Sequence, residues 1–340
     1  MYLDNAARFS PKYKTPGGPS PPAILEVSRL AASFKANNPT APPMFHHPKA
    51  HLVVLAANIT ISTTFPIGQK IAPLLDPVLI VLFRFVLCAL LMLPLLLFTN
   101  KVKVPNVKRL VQFSVLGGCF GGFFGGFFIM MFTALKYTTA LNTSVIYTLV
   151  PGLAAVIGFL VLGQRLKPMH FVLLGLGLAS TLWVLFQGSF EALLGFEFNP
   201  GDLLFAGGCI LTAFYSTLLK KFHVVESPFN VAFWTIACGS VLLGIYALIF
   251  VQGVDLQAVP TVAYLWVVYL AVMTVFTSFA WSYGTPKLGA THTLAYSYLI
   301  PSLVLVINWV ILDTLPPLIV LPGVLSGILV MVVLQRKKAD

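Results

Sequence analysis

Polar and aromatic side chains recur at helical spacing inside runs that are otherwise apolar. Asn58 and Ser62 stand one helical turn apart in the first run, and tyrosine or tryptophan recurs among serine and threonine in four later runs. Hydroxyl and amide groups can hydrogen-bond a small organic solute, and aromatic rings can stack on a flat group or an ammonium ion. For any single serine or threonine the alternative is a hydrogen bond to its own helix. Taken as a set, the candidate solute contacts are Asn58, Ser62, Tyr147, Tyr215, Trp281 and Tyr296.

Two ionisable residues interrupt apolar runs, and each allows two interpretations. Arg84 lies about seven residues into the second run, where an intramembrane arginine costs roughly 2.5–3.5 kcal/mol to insert. It either reaches back to the membrane surface or binds a carboxylate or phosphate of a solute. His292, near the start of the ninth run, either binds solute or protons or is a histidine held by a hydrogen bond at a helix end. No Asp or Glu stands in the middle of a run, which disfavours a carboxylate proton relay and leaves facilitated diffusion, exchange or histidine-based coupling.

Pro151 and Pro301 stand in the middle of two apolar runs. A proline inside a helix removes one backbone hydrogen bond and frees a carbonyl, which a neighbour, water or a solute must then satisfy. Each proline is therefore either a hinge or a static kink. Glycines between Gly117 and Gly126 recur with a period of four residues, which favours close packing of another helix.

The sequence carries no recognisable signature of catalysis or metal binding. There is no G-x-S-x-G, no H-E-x-x-H and no carboxylate pair within a run. His46, His47 and His51 stand together, but beside a proline-rich segment they make a poor metal site. We expect no catalytic residue, no metal and no cofactor. The net charge of +11 does not predict nucleic-acid binding, because the basic residues stand in short clusters between apolar runs.

Composition indicates which elements must carry these residues. Apolar residues make up 58% of the 340-residue chain and charged residues 9%, whereas an ordinary soluble domain has roughly 25% charged residues. So few charges cannot cover a globule in water, but in lipid the outer face can be apolar. Runs of about 20 apolar residues span a bilayer. Ten spans, numbered 1 to 10 in chain order, are predicted at 52–70, 77–98, 110–135, 139–162, 168–187, 201–220, 228–250, 261–283, 289–312 and 316–334.

The first 50 residues have a different composition, rich in proline with scattered Lys and Arg. We expect residues 1–50 to form a disordered cytoplasmic tail. Residues Ile24–Lys35 present apolar positions on one helical face and could lie on the membrane surface. No classical signal peptide is visible, and a cleaved transit peptide stays open because only Asp4 and Glu26 are acidic.

Loop charges predict the orientation of the ten spans. Loops on one side carry most of the Lys and Arg outside the tail, namely Lys101, Lys103, Lys108, Arg109, Arg165, Lys167, Lys220, Lys221, Lys287, Arg336, Lys337 and Lys338. Loops on the other side carry only Lys70 and Lys136. Because basic loops stay cytoplasmic, both termini are predicted to be cytoplasmic.

The chain resembles itself at an offset of 150 residues. Ala140, Thr143 and Pro151 recur as Ala290, Thr293 and Pro301. Each copy then has five spans, at 51–188 and 199–335, and an odd number of spans gives the two copies opposite orientations. Inverted repeats of this kind are a known construction of transporters, with the solute site near the membrane midplane where the halves meet.

Three segments resemble a known family. They are ANITISTTFPIGQKIAPLLDPVLIVLFRFVLCALLMLP with its Arg84–Phe85 pair, ALKYTTALNTSVIYTLVPGLAAVIGFLVLGQRLKP, and GDLLFAGGCILTAFYSTLLKK. They are similar to the EamA-type domain of the drug/metabolite transporter superfamily, and the likeness covers about residues 52–335. The chain departs from the family pattern at Gln164, where an acidic residue is common, and at Asn58. The resemblance implies a ten-helix carrier of amino acids or other metabolites, with relatives that carry nucleotide sugars or triose phosphates.

These observations together predict an all-α integral membrane protein with ten transmembrane helices in two inverted five-helix repeats. The predicted function is secondary transport or export of small organic metabolites by alternating access, with a zwitterionic or neutral solute such as an amino acid favoured. A phosphorylated-metabolite or nucleotide-sugar antiporter that uses Arg84 is the alternative, followed by an intramembrane enzyme or a scaffold. We expect spans 1, 3, 4, 6, 8 and 9 to line the cavity. The expected partners are the solute, the lipid bilayer and, as an open option, a second copy of the chain; a plasma or inner membrane is favoured over an organelle membrane.

Overall fold

The computed structural model describes residues 47–98, 103–118, 123–163, 168–186, 188–189, 191, 194–195, 199–222, 227–312 and 318–336. All regular secondary structure within these residues is helical. The proline-rich tail up to residue 46, with its amphipathic segment, lies outside the described residues.

The helices of the first half begin at residues that suit a helix start. They are α1 (Pro48–Ile71), α2 (Pro77–Phe98), α3 (Val107–Gly117), α4 (Phe123–Ala134), α5 (Ala140–Ile146), a 3₁₀ turn (Tyr147–Leu149), α6 (Val150–Leu162) and α7 (Pro168–Leu185). Three of them start with proline, whose missing N–H would be unpaired there in any case. The side chains of Asn106 and Thr139 accept hydrogen bonds from the first turns of α3 and α5.

The second half repeats this order. Its helices are α8 (Pro200–Lys221), α9 (Pro228–Phe250), α10 (Thr261–Leu288), α11 (Ala290–Ala295), a 3₁₀ turn (Tyr296–Leu299), α12 (Ile300–Leu312), a 3₁₀ turn (Leu318–Val320) and α13 (Leu321–Arg336). Asn199 and Asp202 form a capping box at the start of α8, in which each side chain accepts from the other's backbone N–H.

The helices follow the predicted spans with some differences. Helix α1 begins at Pro48 rather than at residue 52, and α10 continues to Leu288 rather than to 283. Span 3 consists of α3 and α4, and span 4 and span 9 each contain a 3₁₀ turn. Seven helical segments of the described chain are long and apolar enough to cross a membrane, and three shorter apolar helices lie at Phe123–Ala134, Pro168–Val184 and Leu318–Leu334. The count of ten spans stays a prediction.

Contacts between the two halves follow the internal repeat. Helix α1 packs on α10, and its counterpart α8 packs on α4. Likewise α1 packs on α12 while α8 packs on α6. Helices α2 and α9 pack together, as do α7 and α13, and each of these pairs joins a helix to its own counterpart. The two repeats are therefore interleaved, so residues from both halves meet in the centre.

Glycine permits the closest of these approaches. A Cβ atom on Gly117 of α3 would overlap the Thr235 carbonyl oxygen of α9, and one on Gly239 would overlap the Gly117 carbonyl. The two backbones therefore touch, as expected of small residues at a membrane helix interface. Part of the predicted glycine face, at residues 119–122, lies outside the described residues.

We expect Gly117→Ala to lower the free energy of unfolding by about 1–3 kcal/mol, because the added methyl group forces α3 away from α9. The measurement is thermal unfolding of the purified protein in detergent. Gly175→Ala in α7 is the matched control, since its Cβ would meet nothing within 4 Å. If both variants unfold at the wild-type temperature, the α3–α9 contact contributes little to stability.

Candidate solute-binding site

A small cavity lies between helices of both halves. The space open to the centre of a water molecule is about 20 Å³, which is enough for about one water. Its lining is mostly aromatic and consists of Ile61, Thr64, Phe65, Phe124, Phe127, Phe128, Met131, Tyr147, Thr277 and Trp281. We call this space the aromatic cavity. It is too small for a metabolite in this conformation, so solute binding requires the surrounding helices or side chains to move.

Helical periodicity aims these side chains at one point. In α4, Phe124, Phe127, Phe128 and Met131 are spaced i, i+3, i+4 and i+7 and so share one face. Helix α1 supplies Ile61, Thr64 and Phe65, which are spaced i, i+3 and i+4, and α10 supplies Thr277 and Trp281. The 3₁₀ turn after α5 presents Tyr147. Four of the six predicted lining spans thus contribute, namely spans 1, 3, 4 and 8.

Ring contacts hold the wall of the aromatic cavity in place. Phe124 stacks on Tyr215 with centroids 4.8 Å apart, and the Tyr215 and Trp281 centroids are 5.8 Å apart. Tyr147 packs edge-on against Phe65 at 5.8 Å. Each such pair contributes about 0.5–1.5 kcal/mol beyond its buried area. The Nε1–H group of Trp281 is buried without a hydrogen-bond partner.

Arg84 lies beside the aromatic cavity and points into the protein. Its side chain is 2% exposed, its Nε–H donates to Thr274 Oγ1, and its guanidinium carbon lies 4.0 Å from the centroid of the Phe128 ring. Nη1 is buried without a hydrogen-bond partner. Of the two interpretations of Arg84, the structure does not support an arginine that reaches back to the membrane surface.

Asn58 and Ser62 do not line the aromatic cavity. The Asn58 side chain donates to the Val54 carbonyl at 2.9 Å, and the Ser62 hydroxyl donates to the Asn58 carbonyl at 2.8 Å. Both are buried, and both bonds run along α1. Their hydrogen bonds therefore match the local alternative for polar residues in helices.

His292 and Tyr296 belong to a separate group of buried side chains. The Tyr296 hydroxyl lies 2.9 Å from His51 Nδ1, and the His170 and His292 rings are 6.4 Å apart. We call His51, His170, His292 and Tyr296 the histidine cluster. Its residues lie near the starts of α1 and α7, in α11 and in the 3₁₀ turn after α11. Neither His292 nor Tyr296 lines the aromatic cavity. No group of three metal-ligating side chains with suitable geometry occurs among the described residues.

Pro151 and Pro301 explain the 3₁₀ turns at Tyr147–Leu149 and Tyr296–Leu299. In a regular α-helix the Tyr147 carbonyl would accept from residue 151, but Pro151 has no N–H, and the carbonyl accepts from Val150 instead. In the second repeat the Ser297 carbonyl accepts from Ile300, since the residue four positions on is Pro301. Both prolines are buried in the first turn of the next helix. The same backbone change therefore occurs at equivalent positions of the two repeats.

The phenylalanines that dominate the cavity were not among the predicted contacts. In an apolar run a phenylalanine is most simply a packing residue, and this applies to Phe65, Phe124, Phe127 and Phe128. The glycines of span 3 had in addition suggested that its segment packs against another helix.

Known sequences resemble this chain over most of its length. The model of the EamA-like transporter family matches residues 48–186 and, a second time, residues 199–335. The uncharacterized transporter YyaM of Bacillus subtilis (strain 168) is 25% identical over 269 residues, which cover 78% of this chain and 87% of that protein. An uncharacterized transporter of Archaeoglobus fulgidus is 26% identical over 230 residues, covering 67% of this chain and 76% of the other.

A crystal structure of another protein has the same fold. It superposes with a TM-score of 0.64 and covers 85% of this chain and 98% of its own. The two sequences are 22% identical, so this likeness concerns the fold alone.

Proposed function

We propose, given that this chain belongs to the EamA-like transporter family, that it moves a small organic metabolite across a membrane by alternating access through the aromatic cavity. The chain is a multi-pass membrane transporter of the EamA type, with relatives named as transporters. The observation that supports the proposed route is the aromatic cavity itself, which side chains of both repeats enclose.

The small size of the aromatic cavity supports alternating access. A space for about one water must widen before a metabolite enters and must open to each side in turn. The 3₁₀ turns at Tyr147–Leu149 and Tyr296–Leu299 are the weakest points of their spans, because their hydrogen-bond geometry is poorer than that of an α-helix. We infer that the two spans bend there.

The lining indicates what the solute resembles. Rings of Phe, Tyr and Trp suit a flat or branched apolar group, and they also attract an ammonium ion. The hydroxyls of Tyr147 and Thr277 and the free Trp281 donor supply a few directional hydrogen bonds. No carboxylate lines the cavity among the described residues. An amino acid with an apolar side chain is the solute that we favour.

Counterflow in proteoliposomes tests this function. Vesicles that contain the full chain are loaded with an unlabelled mixture of the twenty amino acids, and uptake of labelled L-phenylalanine, L-leucine or L-glutamate is followed against empty vesicles. We expect uptake of the two apolar amino acids and none of glutamate. Uptake of glutamate alone, or no uptake of any of the three, would count against amino acids with apolar side chains as solutes.

A phosphorylated metabolite or nucleotide sugar is the second candidate. The buried cation Arg84 favours it, because phosphate oxygens pair well with a guanidinium group. The apolar rings around Arg84 favour a singly charged group over a phosphate dianion.

The orientation that we propose places both termini in the cytoplasm, from the loop charges. In a variant without native cysteines, Glu191→Cys is expected to react with a membrane-impermeant thiol reagent applied to intact cells. Lys103→Cys is expected to react only after permeabilisation. The reverse labelling pattern would overturn the orientation, and labelling of both positions from the same side would overturn the count of spans.

A further inference from the structure

Arg84 is a buried cation with an unused hydrogen-bond donor. Its side chain lies about two turns into α2 and is 2% exposed. Thr274 accepts from Nε, the Phe128 ring covers one face of the guanidinium group, and Nη1 has no hydrogen-bond partner. A buried charged donor without a partner is costly, and such a group in a native protein calls for an explanation.

No carboxylate of the described chain neutralises Arg84. Asp76 accepts from the backbone at the start of α2, and Asp202 is engaged in the capping box of α8. Glu191 and Asp255 are exposed. Intramembrane cations usually pair with an anion or with backbone carbonyls. Arg84 therefore has no anionic partner among the described residues.

The aromatic cavity adjoins this donor. The Phe128 ring contacts Arg84 and also lines the cavity, and Thr274 stands one turn before the lining residue Thr277 in α10. Phe85, next to Arg84 in the chain, stacks on the lining residue Phe124 at 5.6 Å. Phe128 therefore connects the guanidinium group of Arg84 to the wall of the cavity.

We propose that Arg84 binds the carboxylate of the transported solute while the aromatic cavity holds its apolar body. The substrate class is then a small carboxylate, with or without an amino group, that carries a flat or branched apolar group. This inference rests on the proposed function, since it concerns the same cavity. One guanidinium balances one carboxylate and matches its two oxygens, whereas a phosphate dianion would leave a charge uncompensated among phenylalanine rings.

Matched ligands test the charge requirement without transport. The full chain in lipid nanodiscs is titrated with 3-phenylpropionate, L-phenylalanine, L-phenylalaninamide and phenyl phosphate, and thermal stabilisation gives each Kd. We expect the two carboxylates to bind with Kd values within about fivefold of each other. The amide and phenyl phosphate are expected to bind at least about tenfold more weakly, since a tenfold change is the loss of a single good interaction.

Variants of Arg84 and its neighbours test whether Arg84 is the residue that requires a carboxylate on the ligand. Arg84→Gln is expected to lose at least about tenfold in affinity for 3-phenylpropionate and little for the amide, and Arg84→Lys is expected to fall between. Thr274→Val keeps the positive charge of Arg84 but removes the hydrogen bond that orients its guanidinium group. This variant therefore tests the role of Arg84 even if Arg84→Gln does not fold. Lys287→Gln is the control, because Lys287 is an exposed residue whose ammonium group lies 3.4 Å from the centroid of the Tyr283 ring rather than beside the cavity.

The outcomes separate the inference from the proposed function. Equal affinity for L-phenylalanine and its amide would overturn the role of Arg84 while leaving an aromatic solute site in place. Tighter binding of phenyl phosphate than of the carboxylates would show that Arg84 binds a phosphoryl group, and would overturn the inference that it binds a carboxylate. Stabilisation by none of the four ligands would also reject the inference, and counterflow would then decide separately whether the chain carries amino acids.

Discussion

Trp281→Ala is expected to raise the Kd for the solute by about 10- to 100-fold. The side chain is 4% exposed, lines the aromatic cavity and faces Tyr215. Its removal takes away an aromatic contact and an apolar surface that together contribute about 1.5–3 kcal/mol to a bound solute. The measurement is the Kd of L-phenylalanine in nanodiscs, together with the KM for counterflow. Trp281→Phe keeps a ring but loses the Nε1 donor and is expected to lie between wild type and Trp281→Ala.

Two control variants distinguish the loss of a solute contact from a general loss of stability. Trp309 is exposed on α12, so Trp309→Ala removes the same kind of side chain without touching the cavity. Tyr296→Phe removes only the hydroxyl that meets His51, at a cost to stability of about 0.5–1.5 kcal/mol. Both are expected to bind solute as the wild type does. A Trp281→Ala protein that is folded and binds with unchanged Kd would place the solute elsewhere.

Pro151→Ala and Pro301→Ala are each expected to slow transport by about 2- to 10-fold at saturating solute. An alanine at position 151 adds an N–H that can donate to the Tyr147 carbonyl in the α-helical pattern, in place of the 3₁₀ bond from Val150, so α5 and α6 can join as one regular helix. One extra backbone hydrogen bond of about 0.5–1.5 kcal/mol would then have to break whenever the span bends. The same argument holds for Pro301 and the Ser297 carbonyl. Initial rates of counterflow measure the effect.

Pro94→Ala is the control for this prediction. Pro94 is exposed and lies inside α2, which contains neither of the 3₁₀ turns next to Pro151 and Pro301. Its replacement is expected to leave the rate unchanged. Wild-type rates in both Pro151→Ala and Pro301→Ala would show that the 3₁₀ turns are fixed features of packing rather than hinges.

Several features of the fold followed from local sequence. Prolines and capping residues set the helix starts, because a residue without an N–H or with a side-chain acceptor is favoured only at that position. The excess of apolar over charged residues predicted a membrane protein, and the residues around Arg84 and Pro151 predicted the family, which the match over 48–186 and 199–335 confirms. Gly117 marked a close helix approach.

The site itself depended on tertiary packing. Tyr147 and Trp281 line the aromatic cavity, Tyr215 supports its wall, and Asn58 and Ser62 bond to their own helix instead. In water an apolar stripe shows which side of a helix is buried, but a span that is apolar on all sides carries no such mark, because lipid and protein interior are equally apolar. Sequence therefore could not tell which phenylalanines of α4 face inward.

Sequence by itself determined that a costly arginine stands in an apolar span at position 84 and that prolines interrupt two equivalent spans. Whether Arg84 reached the surface or the interior depended on which helices pack on α2, and only the tertiary structure brought Thr274 and Phe128 to it, from 190 and 44 positions away along the chain. The physical reason is that a side chain's rotation about the helix axis is decided by its neighbours, which helical periodicity alone does not name.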